Sequence, residues 1–283
     1  MDSIADNVLR FPDEIRHLGE IEEKLELAMK EAEEHVLRLD AEYREAKQYM
    51  ADSFSEMDSH EKLQNERLLQ QTDRSGALAV KMREKTEKLK YSPYFARIDF
   101  LPDTGDEESV IYIGGSGFEY DGEQLIFDWR APVSGMFYDY CTGHAGFDAP
   151  AGRIEGELTR RRQFKIRNGI MEYVLESAEQ IRDDVLQKEL AGTSDERMKS
   201  IISTIQREQN DIIRNEYADT MIIQGVAGSG KTSVALHRIT FLMYRFRDSI
   251  RAEDILIVSP NKVFAYYISG VIPELGEEPV CLK

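Results

Sequence analysis

Cysteine is almost absent: Cys141 and Cys281 are the two thiols of 283 residues, far apart and without a metal-ligand companion. That scarcity excludes a disulfide-built scaffold and suits a chain of the reducing cytosol, where both are expected as buried or free thiols. The five histidines, His17, His35, His60, His144 and His237, show no ligand spacing to one another or to the cysteines, which argues against a zinc site. Long apolar runs are lacking as well. No stretch approaches bilayer-spanning length, and Asp2, Asp6 and Asp13 stand where a secretory leader would carry basic and then apolar residues, so a cytoplasmic location is expected. Positive charge is in short supply: 36 Lys and Arg face 53 Asp and Glu, for a net charge of -17. An acidic excess works against long-range steering onto nucleic-acid phosphates and leaves that role to a local basic groove.

What the chain does have is a phosphate cradle. Gly225-Val226-Ala227-Gly228-Ser229-Gly230-Lys231-Thr232 reads G-x-x-x-x-G-K-T directly after the apolar stretch Met221-Ile222-Ile223. Glycines let consecutive backbone N–H groups turn inward, Lys231 reaches β/γ oxygens, and the Thr232 hydroxyl is placed to hold Mg²⁺. Val234, Ala235, Ile239, Leu242, Met243 and Phe246 follow at helical spacing, so the cradle opens a helix whose N-terminus favours an anion. ATP with Mg²⁺ is the expected cofactor pair.

Residues 1–91 read as almost wholly helical. Leu25, Met29, Ala32, Val36, Leu39, Tyr43, Ala46 and Met50 alternate steps of four and three without a slip, the mark of a coiled-coil seam. A second helical stretch, about 60 to 90, carries a weaker seam through Leu68, Ser75, Leu78, Met82 and Leu89, with a turn at 51–59 between the two. The expectation is an antiparallel helical hairpin with limbs roughly 45 to 55 Å long. Its tip is acidic, with Asp52, Glu56, Asp58 and Glu61, whereas the far end of the second limb carries Lys81, Arg83, Lys85, Lys88 and Lys90.

From Tyr94 to Tyr173 the period changes to two. Val110–Ile113 and Gln124–Phe127 read as strands, with a hairpin turn at Asp121-Gly122; Arg162–Arg167 and Ile170–Val174 form a second pair joined at Asn168-Gly169. Residues 92–175 are therefore expected as a small β-rich module. Its basic run Arg160-Arg161-Arg162, with Lys165 and Arg167, admits two readings, a phosphate contact or the exposed face of a strand. Asp128 ends an apolar strand as a magnesium-holding acid would. It precedes the cradle, however, and Trp129 stands where a second acid would serve, so Asp128-Trp129-Arg130-Ala131-Pro132 reads as a structural corner.

Residues 176 to about 217 read as polar and helical, leading into a strand over 220–224, the cradle, its helix, and a second apolar strand at Ile255–Val258. Strand, cradle, helix and strand make a βαβ unit and imply a parallel sheet. The fold class expected is thus α/β: a coiled-coil arm over 1–91, the β-rich module, and over 176–283 the first, incomplete part of a RecA-like P-loop domain.

Gln209 upstream, the cradle, and His237-Arg238-Ile239-Thr240-Phe241-Leu242 downstream together resemble superfamily 1 helicases of the UvrD/Rep type. That resemblance implies an adenine-reading role for Gln209 and a single-stranded DNA contact around Ser259 and Asn261, within Ile257–Lys262. Ser233 departs from the pattern, which often has an arginine there. A longer match runs through Ser92–Phe100, Asp128–Pro132 and Ile205–Asn210, and with the N-terminal hairpin it resembles the HelD-type factors of bacterial RNA polymerase.

The resemblance implies a hairpin that enters the polymerase secondary channel, with Asp52, Glu56 and Asp58 near the magnesium-bearing centre. It also implies nucleotide-linked release or recycling of polymerase from nucleic acid. No acid to fix Mg²⁺ and no residue to orient the attacking water is identifiable after Thr232, so the catalytic set is expected from later motifs. Residues 1–283 alone are then expected to hydrolyse ATP very poorly. The alternative is a superfamily 1 DNA helicase or single-strand translocase.

Overall fold

The computed structural model describes residues 7–53, 57–176, 205–226 and 228–259, with 268, 272, 275, 281 and 282. The described chain is mixed α/β, with two long N-terminal helices and a mixed sheet, and it divides into two units. One holds residues 1–93 with 166–171, and the other holds residues 94–165 with 172–283.

In the first unit, α1 (Pro12–Ser53) starts on a proline whose missing N–H costs nothing at that position, with Asp13 and Glu14 set against the helix dipole. The expected seam of α1 is the covered face. Leu18, Ile21 and Leu25 are buried, and Met29, Ala32, Val36, Leu39, Tyr43, Ala46 and Met50 are half-buried between exposed neighbours. α2 (Ser59–Tyr91) is started by Asp58, whose Oδ1 accepts the N–H groups of His60 and Glu61, each at 2.8 Å. The Glu61 carboxylate accepts the Asp58 N–H in return at 3.2 Å, which completes a capping box. α2 stops before Ser92-Pro93, as the proline requires. The two helices pack on each other, and Glu26 meets Lys90 at 3.6 Å.

The seam of α2 differs from the one its apolar residues suggest. Leu68, Leu78 and Met82 are exposed, whereas Ala79, Thr86 and Leu89 are buried and Leu69, Thr72 and Arg83 half-buried. The covered line lies one position away from the expected one for most of its length. Ser75 and Leu89 of the expected seam are covered, but elsewhere small or polar side chains such as Thr72, Ala79 and Arg83 are covered, so hydrophobicity did not mark it there. Thr86 fits there because its hydroxyl donates to the Met82 carbonyl at 3.0 Å.

The second unit is built on a sheet of seven strands: β1 (Ala96–Pro102), β2 (Ser109–Gly114), β3 (Phe118–Tyr120), β4 (Glu123–Asp128), β5 (Gly143–Ala149), β6 (Gly152–Arg167) and β7 (Ile170–Glu176). The order is β3-β4-β2-β1-β6-β5, with β7 also on β6. The pair β2–β4 is parallel and the other pairs of known register are antiparallel. Both predicted turns occur: Asp121 and Gly122 have φ of 53° and 77°, Asn168 and Gly169 52° and 73°, the left-handed pairs that tight hairpins need. β6 is far longer than the expected Arg162–Arg167, since it serves β1, β5 and β7 in turn.

After β4 come a 3₁₀ turn (Val133–Gly135) and α3 (Met136–Asp139), then α4 (Arg207–Arg214), α5 (Lys231–Arg245) and a short parallel pair, β8 (Leu256–Ile257) with β9 (Cys281–Leu282). One core joins sheet residues Ile98, Phe100, Ile113, Trp129 and Leu158 to Ile213, Val234, Leu236 and Phe241 of α4 and α5.

Three expectations change. The run Arg160-Arg161-Arg162 is not simply the exposed face of a strand: Arg161 and Arg162 are buried, with Arg161 stacked on Phe137 and Arg162 paired with Glu176, while Arg167 is exposed. Arg160 meets the fully buried Asp99 at 2.8 Å, which Arg97 also holds through two bonds at 2.7 and 2.8 Å. Residues 220–224 form no strand, because among the described residues no neighbour supplies a ladder to them. Of the helix expected over 176–217, α4 accounts for Arg207–Arg214, and residues 177–204 lie outside the described ones.

Gly156 of β6 sits so close to β1 that a Cβ would stand 2.2 Å from the Leu101 carbonyl and 2.8 Å from Phe100 Cζ. Gly156→Val is expected to lower unfolding free energy by about 2–3 kcal/mol. Gly19→Ala, in an α1 position with nothing within 4 Å, should raise it by about 0.5–1 kcal/mol; urea denaturation of both variants checks the contrast.

Candidate nucleotide site

The cradle follows from two glycines with positive φ. Gly228 at 82° and Gly230 at 79° turn the loop where an ordinary side chain would be strained, and Gly230 sits directly before the first turn of α5. Gly225 leaves room for a different group, since a Cβ there would lie 2.6 Å from Ser229 Oγ, which would have to turn away. Ala227 lies outside the described residues. Val226 and Thr232 are exposed, Ser229 N–H donates to Val226 O at 3.3 Å, and Val234 N–H to Gly230 O at 2.9 Å.

Lys231 curls its ammonium back across the loop, donating to the carbonyls of Gly225 at 2.9 Å and Val226 at 2.6 Å. It thus lies over the loop where phosphate oxygens would be gripped, on a helix N-terminus that favours negative charge. These residues fit a nucleotide phosphate chain. Among the described residues no three His, Cys, Asp or Glu side chains converge on a metal position. A Mg²⁺ ion would therefore take one ligand from Thr232 and the rest from phosphate and water.

Gln209 comes to the same place from another helix. It lies in the first turn of α4, where its Oε1 accepts the Gln206 N–H at 3.3 Å, and its Nε2 lies 4.0 Å from the Cβ position of Gly230. The Gln209 side-chain amide thus lies beside Gly230 of the cradle.

What holds α4 and α5 in register is the corner after β4. Asp128 accepts the Arg130 N–H at 2.9 Å and its guanidinium at 2.8 and 2.7 Å, so both carboxylate oxygens serve the turn itself. Ser134 Oγ donates to Asp128 O at 2.7 Å. Arg214, at the end of α4, donates to the carbonyls of Trp129 at 2.5 Å, Arg130 at 3.2 Å and Ala131 at 3.3 Å, and to Asn210 Oδ1 at 3.0 Å. Its guanidinium lies over the Phe241 ring of α5, and burial pushes its pKa down. Asn210 Nδ2 donates to Asp139 at 2.6 Å, a carboxyl whose pKa burial raises and that bond lowers.

From α5, Arg238 donates to Ile212 O at 2.8 Å and to Asn215 O, Tyr244 receives the Arg130 guanidinium at 4.6 Å, and His237 meets Trp129 edge to face with centroids 5.7 Å apart. Trp129, Arg214, Asn210 and His237 were not singled out as site residues by sequence reasoning. The available signal for Trp129, Asn210 and His237 was their presence inside the motifs around 128–132, 205–210 and 237–242, whereas Arg214 lies outside all three.

The remaining expected site residues lie apart from this group or outside description. Asp52, near the end of α1, is exposed; Asp58 caps α2; Glu56 is outside the described residues. Ser259 follows β8, and Asn261 is outside the described residues.

His237 is fully buried, and burial drives its pKa down to about 4 despite the bond to the Ser233 carbonyl. The folded chain keeps it neutral while the unfolded chain protonates it below about 6.5. Its stabilising effect is therefore complete above pH 6.5 and is lost as pH falls from 6.5 towards 4, on the order of 3 kcal/mol across the window. Comparing urea denaturation of the native protein and His237→Gln at pH 5 and pH 7.5 should show a smaller loss on acidification in the variant.

No curated protein matches the chain. A family model described as DNA helicase IV HelD, N-terminal domain, matches residues 12–198, which takes in both long helices and all seven strands of the large sheet and ends before Gln209 and the cradle. The match covers well over half of the sequence and includes the Asp128–Pro132 corner on which α4 and α5 rest, and on that ground the chain belongs to the HelD N-terminal domain family.

Proposed function

We propose that this chain is the ATP-binding N-terminal part of a cytoplasmic, helicase-like ATPase that binds bacterial RNA polymerase and drives its release from nucleic acid. The observation that carries the ATP reading is the meeting of Gln209 Nε2 with Gly230 beside Lys231, which offers a base-edge donor and a phosphate cradle at one place. Gln209 reads adenine, Gly225 to Lys231 hold the phosphates, and Thr232 holds Mg²⁺ in a RecA-like domain.

The polymerase reading rests on the family, on α1 and α2 as an antiparallel coiled-coil arm, and on the acidic tip at Asp52, Glu56 and Asp58. Carboxylates on a slender arm suit a metal-bearing channel. A second reading, a DNA helicase or strand translocase with single-stranded DNA near Ser259 and Asn261, is favoured by the family description as a DNA helicase. The net charge of -17 and the internal pairing of Arg160 and Arg162 weigh against it.

Calorimetry should register Mg-ATP binding that Lys231→Ala weakens at least tenfold and Gln209→Ala weakens for ATP more than for GTP. For the arm, the triple variant Asp52→Asn, Glu56→Gln, Asp58→Asn preserves the cap of α2, since asparagine caps as well as aspartate. It should retain ATP binding and lose release of polymerase from nucleic acid. Unchanged release would remove the tip from the reading, and salt-dependent strand binding without polymerase capture would favour the translocase.

A further inference from the structure

Two buried ring nitrogens in the second unit have no hydrogen-bond partner, and they belong to rings in contact. Trp129 and His237 are both fully buried, and Trp129 Nε1 and His237 Nε2 are each unpartnered. The chemistry of the two is complementary. His237 Nδ1 lies 2.7 Å from the Ser233 carbonyl, which can only accept, so Nδ1 carries the proton and Nε2 is a bare acceptor. The indole N–H can only donate. Leaving both unmade costs about 1–3 kcal/mol each, and the rings already meet at 5.7 Å and 68°.

The connections on either side give the pair a mechanical meaning. Trp129 is fixed by its backbone: its N–H donates to Gly114 O of β2 at 3.0 Å, and its carbonyl accepts Arg214 of α4. His237 is tied instead to the cradle, because the carbonyl it holds belongs to Ser233, the residue after Thr232. A roll of the first turn of α5 therefore moves the imidazole against an indole that is held in place.

We propose that Trp129 and His237 are positioning residues for the nucleotide cradle: when Lys231 and Thr232 grip a nucleoside triphosphate, α5 rolls and the indole N–H donates to His237 Nε2, locking the helix onto the corner after β4. The proposal rests on the reading of Gly225–Thr232 as a nucleotide site. Binding energy released at the phosphates is then partly stored as a hydrogen bond to an indole whose own backbone is tethered to the sheet, and Trp129 reports the filling of the cradle.

Trp129 is the only tryptophan of the chain, so one indole N–H signal appears in a ¹H–¹⁵N spectrum of the full chain. That signal is followed during titration with a non-hydrolysable ATP analogue and Mg²⁺, with binding measured separately by calorimetry. The expected result is a downfield move and slowed solvent exchange of the indole proton, saturating with the calorimetric Kd. In His237→Phe, which keeps an edge-to-face ring but has no acceptor, the indole response disappears and nucleotide affinity falls about tenfold, or about 1.4 kcal/mol. His237→Gln, which restores an acceptor, recovers part of both and also serves if the phenylalanine variant does not fold. Nucleotide binding by calorimetry with an unmoved indole signal overturns the joint and leaves the nucleotide site standing. Absence of any binding heat overturns the nucleotide reading and the joint with it.

Discussion

The second unit of this protein depends on the guanidinium of Arg214. Arg214 places its charge against three consecutive carbonyls, those of Trp129, Arg130 and Ala131, and one side-chain amide. Among the described residues no carboxylate bonds to it directly; Asp139 is reached through Asn210. A buried cation that lost these acceptors would carry its full desolvation cost, so the corner and the end of α4 hold to one another strongly. The ring of Phe241 below the guanidinium and the close approach of Gly135 leave it little other room.

The arrangement matters because the two halves of the proposed nucleotide site come from different helices. Gln209 is carried by α4 and Lys231 with Thr232 by α5. Neither helix has a strand ladder holding it beside the other. Their relative position comes from Arg214 and Arg238 crossing between them and from the shared seat on residues 128–131. A β-turn that contributes nothing to the phosphates themselves is in this way a structural part of the cradle, and the sheet it closes acts as the base plate of the site.

Legibility followed the strength of the local signal. The α1 seam from Leu25 to Met50 was readable, because Leu25, Met29, Val36, Leu39 and Met50 are apolar where that stretch is covered, whereas the buried Glu14, Leu18 and Ile21 lay outside the expected line. On α2 the same method pointed to Leu68, Leu78 and Met82, which face solvent, because packing there selected Ala79, Thr72 and Thr86 for size. The turns at Asp121-Gly122 and Asn168-Gly169 were legible because left-handed backbone permits few residue types. Arg160–Arg162 misled as the exposed face of a strand. A run of arginines in a strand looks solvated until Asp99 and Glu176, 61 and 14 residues away, are brought beside it.

By itself the sequence determined the parts whose chemistry is local. These are the glycine spacing that lets Gly228 and Gly230 turn a phosphate loop, the Asp58 cap, the α1 stripe, the hairpin turns, and the acidic balance. Each depends on residues within a few positions of one another, so the order of letters contains the physics. The tertiary structure alone decided that Gln209 faces Gly230, that Arg214 closes on residues 129–131, and that Trp129 lies against His237. Those contacts join positions about 20 to 110 apart in the chain, and their energy comes from burial and charge compensation that arise only when one core brings sheet and helices together.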